Sequence, residues 1–240
     1  MTVLEYDTFT EGAVDPAKWV ALQLPTPDGS MWSYGDPNAK VEAHGGTMQI
    51  TVDPFRLKHD TVHMLDDPKH LLVTPQPMTV ASDGVTRISA EMAAENYNGN
   101  PDDLTDGWIG LVVADFSTGM IFDWMLSATR IGALYERLPI PGVTPEGGSF
   151  SWIIQSPFVA INSPGTFRTY EIELNAKARS AQWKVDGTPF YRTEGIPVEI
   201  KSVTLGLIVC TLKPPGANGS TSVHGQGARG SWRHLTVTSG

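Results

Sequence analysis

A single cysteine, few basic residues and no long apolar run exclude several classes of protein at the outset. With Cys210 alone, no internal disulfide can form, which fits a reducing compartment without requiring one. Only 17 Lys and Arg stand against 26 Asp and Glu, for a net charge of −9. Phosphate backbones and anionic membrane surfaces are held by clustered cations, so nucleic-acid and membrane partners are disfavoured. No apolar stretch approaches the ~18 residues that a spanning helix needs. The first nine residues carry acids and no apolar segment, so no secretory signal is expected and a soluble cytoplasmic protein is the simplest reading. A Gly-x-Ser-x-Gly elbow is missing, which argues against an α/β-hydrolase. No apolar stripe of 3.6-residue period runs longer than two turns, so long helices are not expected either.

What the sequence does contain is punctuation and alternation. Its 24 Gly and 18 Pro are spread along the whole length and cut it into short segments, as strands require. Met48, Ile50 and Val52 share one side of a segment whose other side is Thr47, Gln49 and Thr51. Ile88, Ala90 and Met92 alternate in the same way with Arg87, Ser89 and Glu91, and Tyr170, Ile172 and Leu174 with Thr169, Glu171 and Glu173. Ala181, Trp183 and Val185 alternate with Ser180, Gln182 and Lys184, after which Asp186-Gly187 signals a hairpin turn. Each pattern is that of a strand with one wet and one buried face. The polar, Gly/Pro-rich stretches 98–106, 139–148 and 214–230 are short and read as excursions from one scaffold. The expectation is a single all-β domain over 1–240, a two-sheet antiparallel jelly-roll sandwich.

Three segments, 108–114, 120–126 and 150–154, are apolar on both faces. In the second, Met120, Phe122, Trp124 and Leu126 lie on one side and Ile121, Asp123, Met125 and Ser127 on the other. In a two-layer protein only one face of a strand meets the core. The other is either capped by a loop or floors a cleft. Asp123 favours the cleft, because an unpartnered carboxylate is costly to bury.

Other motifs weigh less. His59-Asp60-Thr61-Val62-His63 has two-histidine spacing, but Thr61 and Val62 are poor helix formers and Pro54 and Pro68 flank the segment. Surface histidines are expected rather than a metal site, although His63, Met64 and His70 could border a cleft. Gly225-Gln226-Gly227-Ala228-Arg229-Gly230 spells the dinucleotide fingerprint, yet only ten residues follow and they read as a last strand, 232–237. A tight glycine loop against a neighbouring backbone, with Arg229 paired to an acid, is the better reading. Cys210 adjoins an apolar run and reads as a buried small hydrophobe. Tyr135-Glu136-Arg137 reads either as a hydrogen-bonded rim or as a surface ion pair.

Tyr6-Asp7-Thr8-Phe9 with Val14-Asp15-Pro16-Ala17-Lys18-Trp19, the 170–174 strand followed by Gln182-Trp183-Lys184-Val185-Asp186-Gly187, and the last strand together resemble concanavalin A-like lectin/glucanase domains over nearly the whole chain. That resemblance implies a jelly roll with a cleft on its concave face. The glucanases of this superfamily carry a Glu-x-Asp-x-x-Glu or Glu-x-Asp-x-Glu strand. The corresponding strand here has the single carboxylate Asp123, which argues against glycoside hydrolysis. The 107–115 and 119–138 segments, ending Tyr135-Glu136-Arg137-Leu138-Pro139, and the late Gly-Gln-Gly-x-Arg-Gly-x-Trp more closely resemble a bacterial family of this fold from polyketide pathways. It includes the cyclases that perform 6+4 and 4+2 cycloaddition of polyene macrolactones on nargenicin- and streptoseomycin-type pathways. The resemblance implies a cofactor-independent pericyclase with a hydrophobic polyene substrate. From pattern, Trp108, Asp123, Trp124, Met125 and Trp152 would floor the cleft, with Trp32, Tyr34, His63 and Met64 over its mouth. Tyr135, Arg137 or Gln155 would donate to a lactone or ketone oxygen. The alternatives are a carbohydrate-binding module stacking sugars on the same tryptophans, and an inert scaffold.

Overall fold

The structure is a computed structural model and describes residues 2–10, 12–25, 29–56, 69–156, 160–213 and 226–240. Among them there is no helix; the architecture is two large antiparallel sheets laid face to face. The first, a framework sheet, runs in the order Thr188–Glu194, Ser180–Val185, Arg168–Asn175, Thr86–Tyr97, Gly227–Ser239, Thr47–Val52, Ala39–His44, with Thr2–Asp7 also paired to Gly227–Ser239. The second runs Phe150–Gln155, Ile131–Arg137, Met120–Leu126, Trp108–Asp115, Ser202–Cys210, Lys69–Val73, Val20–Ala21, with Met78–Thr79 off its path. A small ribbon pairs Gln23–Pro25 with Met31–Ser33. Sequence-distant strands alternate within each sheet, as in a jelly-roll sandwich.

The alternating segments form strands as expected. Asp186 and Gly187 both take positive φ, 50° and 75°, the backbone a two-residue hairpin turn demands. The last strand begins at Gly227 rather than at Trp232. From Gly227 on, the fingerprint-like stretch is therefore the start of a long strand, and a Cβ on Gly227 would fall 2.8 Å from the Val52 carbonyl oxygen of the adjacent strand. Arg229 pairs with Glu95 and sits 5.5 Å over the Tyr97 ring.

The main core fills the space between the sheets. The second sheet contributes Ile109, Leu111, Val113, Met120, Phe122, Trp124, Leu126 and Tyr135; the first contributes Ile88, Met92, Tyr170, Ile172, Trp183 and Trp232. Trp124 Nε1 donates to the Glu171 carbonyl at 3.2 Å, and Trp183 Nε1 to the Asp123 carbonyl at 3.0 Å. These two bonds join the sheets across the core and satisfy both indoles, as buried polar groups require. A second apolar cluster lies on the far side of the second sheet: Leu22, Tyr34, Leu71, Trp108, Val112, Ile121, Met125, Leu134, Leu138 and Ile208 among others. Strands of this sheet are therefore apolar on both faces. No helix among the described residues is long and apolar enough to cross a membrane.

Candidate functional site

The second apolar cluster surrounds a cavity of about 220 Å³. Its floor follows from strand register. Side chains of one parity on six neighbouring strands share the outer face. One row across the sheet reads Leu71, Ile208, Gly110, Met125, Gly132; the next Val73, Gly206, Val112, Asp123, Leu134, Ile153; the next Ala114, Ile121, Glu136, Ser151. Lys69, Cys210 and Trp108 begin the row on the other side. Leu22, Phe116, Leu138 and Leu212 complete the walls.

Three glycines shape this floor. A Cβ on Gly206 would meet Leu71 Cδ1 at 2.9 Å, one on Gly132 would meet Leu104 Cδ1 at 2.8 Å, and one on Gly110 would fall 1.9 Å from the Trp124 carbonyl oxygen. Their neighbours therefore lean across the sheet into space a side chain would take. Gly110→Ala is expected to lower the melting temperature by roughly 2–12 °C, from the ~1–3 kcal/mol of overpacking and a size of this order. Thermal unfolding by circular dichroism reads it, and an unchanged melting temperature would refute the close approach.

Asp123 is the polar group set deepest in the apolar floor. It is 4 % exposed, and its Oδ1 accepts the Val113 N–H at 3.2 Å. Asp123 lies opposite Val112 in the ladder, so its carboxylate takes the backbone donor of the residue after its own partner. Burial first, and the charge of Glu136 to a lesser degree, hold this carboxyl well above the usual carboxylate range; the Val113 bond and Lys69 pull the other way. Lys69 is itself buried, with its Nζ 5.4 Å from the centre of the Tyr34 ring. Among the described residues no group of three or more His, Cys, Asp or Glu side chains is placed to hold a metal ion.

The structure divides the expected site residues. Trp108, Asp123 and Met125 line the cavity. Tyr34 is buried in the cluster around it, and Trp32 packs against that cluster from the small ribbon. The structure places several of the other residues differently, and two lie outside the described residues. Trp124 faces the inter-sheet core, since it alternates with Asp123 and Met125. Tyr135 also faces that core, its ring 5.8 Å from Phe122 and 4.9 Å from Phe150, and burial raises its phenol. Arg137 is buried on the same side and donates Nε to the Thr118 carbonyl at 3.1 Å. Trp152 is 55 % exposed and leans on Tyr135, away from the cavity, because Phe150–Gln155 is an edge strand. Gln155 is exposed at the end of that strand, outside the cavity lining. His59, His63 and Met64 lie outside the described residues. Alternation turns His70 away from the cleft, and burial holds its imidazole below the ordinary range.

Several lining residues were missed: Leu71, Leu134, Glu136, Ile208 and Cys210. A signal existed, since residues 203–210 and 131–135 are also apolar on both faces. The Tyr135-Glu136-Arg137 motif splits by strand parity, so Glu136, not its neighbours, turns to the cavity. Glu136 also adds a second cleft carboxylate on the adjacent strand, opposite Ile121.

The sequence profile of a family described as "Family of unknown function (DUF6081)" matches residues 6–240, and the chain belongs to that family. No curated protein matches the chain. Among solved structures it is similar to the catalytic domain of an endo-1,3-beta-glucanase (laminarinase) from Thermotoga petrophila, with TM-score 0.58, 15 % identity, and 100 % and 97 % of the two chains covered. It is similar too to LamA from Zobellia galactanivorans in complex with laminaritriose and laminaritetraose, with TM-score 0.60, 14 % identity, and 99 % and 97 % covered. For the Bacillus licheniformis beta-glucanase the TM-score is 0.57 and the identity 12 %, with 100 % and 98 % covered. At such identities the likeness is one of fold: the jelly roll of carbohydrate-active glucanases.

Proposed function

We propose that this member of the DUF6081 family is a cofactor-independent cyclase that closes a polyene macrolactone by 4+2 or 6+4 cycloaddition in its concave cleft. The observation that carries the reading is a buried acid, Asp123, set in an aliphatic floor of Val112, Ile121, Met125, Leu134 and Ile208. A pericyclic closure asks for little else. In the 4+2 case three π bonds become two new carbon–carbon σ bonds and one relocated π bond, and nothing leaves. No nucleophile or proton relay takes part. The rate comes from holding the diene and its partner in a reactive conformer in a dry cavity. A donor on a conjugated carbonyl lowers the barrier further by stabilising charge that grows there. Asp123 in its protonated form is that donor. The cavity of about 220 Å³ suits the reacting segment of a ring whose remainder lies along the open cleft.

Purified protein incubated with the uncyclised polyene macrolactone is expected to speed closure by about 10²-fold or more, read by chromatography. A rate equal to that of buffer would overturn the proposal.

The fold neighbours suggest carbohydrate instead. That reading needs aromatic planes facing the groove, and of Trp108, Trp124 and Trp152 only Trp108 lines the cavity. It would take precedence if a glycan array showed saturable binding, or if laminarin incubated with the protein released reducing ends through the Asp123 and Glu136 pair.

A further inference from the structure

We propose that two copies of this chain join along Phe150–Gln155, paired antiparallel about a twofold axis through Ile153, so that their cleft-bearing sheets become one. This goes beyond the reading of the cleft and does not depend on what the cleft binds. An edge strand offers its backbone donors and acceptors to any chain that approaches, and proteins blunt such edges with charge, proline, bulges or brevity. The other edges here are blunted. Ala39–His44 exposes Lys40, Glu42 and His44. Thr188–Glu194 carries Pro189, Arg192 and Glu194, and its pairing has a register shift. Thr2–Asp7 carries Glu5 and a register shift of its own. Val20–Ala21 is 2 residues long. Phe150–Gln155 has none of these devices. It runs for 6 residues without a charge, a proline or a register shift, and no described strand pairs beyond it. Trp152 and Ile153 stand 55 % and 39 % exposed along it.

The order of residues along the strand selects its own copy as the occupant. Directly opposed residues of an antiparallel pair share one face of the sheet. With Ile153 opposite the partner's Ile153, Trp152 meets the partner's Ile154 and Ser151 meets the partner's Gln155. Every apolar side chain then faces an apolar one, and every polar side chain a polar one. Charge points the same way. The chain carries −9, so two copies repel over most of their surfaces and meet best along a seam without charge. The site also gains by it. Ser151 and Ile153 line the cavity at this edge, so the partner's Ile153 continues the same wall and the two clefts open onto one floor. The twofold axis uses up both edges and closes the assembly as a dimer.

Sedimentation of the full chain across a dilution series is expected to show a dimer. Ile153→Lys sets two ammonium groups opposite each other on the axis and is expected to weaken dimerisation on the order of tenfold or more, and Ile153→Glu likewise. Mixed in equal amounts, these two variants are expected to pair again, since each lysine then meets a glutamate. Ile153→Cys is expected to cross-link two chains on mild oxidation, because opposed Cα atoms lie ~4.5–5.5 Å apart. Trp152→Cys is expected not to, since its own copy lies diagonally at ~7–8 Å, beyond disulfide reach. Cys210 is buried and does not compete. A parent that stays monomeric overturns the proposal and leaves the cleft reading untouched. A dimer that survives Ile153→Lys unweakened uses another surface and overturns it too, as does a lysine and glutamate mixture that stays monomeric. If the charged variants do not fold, the two cysteine variants decide: no cross-link in Ile153→Cys, or an equal one in Trp152→Cys, overturns the pairing.

Discussion

Trp124→Ala is expected to lower the melting temperature by about 6–20 °C, whereas Trp108→Ala should lower it by no more than half as much. The two residues sit on adjacent strands of the same sheet, but strand parity sends them to opposite faces. Trp124 is fully buried between the sheets, 5.3 Å from Tyr170 and 5.2 Å from Phe190, and its N–H bonds to Glu171. Truncation leaves a void with no route to solvent and an unanswered carbonyl. Removing a large aromatic from such a place costs about 3–5 kcal/mol. A protein of this size loses about 2–4 °C for each kcal/mol. Trp108 already borders an open cavity, so its truncation enlarges space that exists and breaks no internal hydrogen bond among the described residues. Calorimetry on both variants reads the contrast. Equal losses would show that the cleft face and the core face had been confused.

Replacing Asp123 should separate stability from activity. Burial raises its carboxyl well above the usual range, so the folded chain keeps a proton that the unfolded chain gives up near the ordinary value of ~3.9. The folded state then binds more protons than the unfolded one over the interval between those two values. The contribution of Asp123 to stability must fall as pH rises through that interval and level off above it. Asp123→Asn keeps an acceptor for the Val113 N–H and cannot ionise. It is expected to melt higher than the parent at neutral pH and to lack this pH-dependent decline. Cyclisation should follow the same limb, declining as the acid ionises, with the decline abolished in the Asn variant, whose amide still donates. Asp123→Leu, which removes the donor, is expected to cut the cyclisation rate by about 10²-fold. Melting curves from pH 4 to 8 and rates over the same range supply the test. Asp103 and Glu173, held below the usual range by their lysine and arginine partners, contribute the opposite slope, so the comparison with Asp123→Asn isolates this group. A parent whose stability relative to Asp123→Asn does not fall with pH across this interval would contradict a buried, protonated Asp123.

Much of the scaffold was legible because alternation is a local property. The strands at 47–52, 86–92, 170–174 and 180–185 each announce their own period, and Asp186-Gly187 announces its own turn. Strand limits were less legible. Gly227 to Ser231 looked like a loop because glycine is common in loops, yet here it lets the strand pass close to Val52. Edge position was invisible as well. Phe150, Trp152 and Ile153 are as apolar as the central strands, and no local pattern says that no described strand pairs beyond them. The cleft was half legible: doubly apolar strands pointed to a second buried surface, and Asp123 and Met125 were placed on one face together. Choosing which face met solvent required the partner strands.

Composition and periodicity alone determined that this chain is an all-β sandwich without disulfides, and that its middle strands are apolar on both sides. Those properties reside in the order of side chains along one strand. Only the tertiary structure decided that Trp124 and Tyr135 belong to the core while Asp123, Glu136 and Trp108 share a cavity. Facing is set by which sheet lies above and which strands lie beside, and those partners come from as far apart in sequence as Lys69 and Cys210. A one-residue change of register would exchange every assignment, and only the pairing of distant strands forbids it.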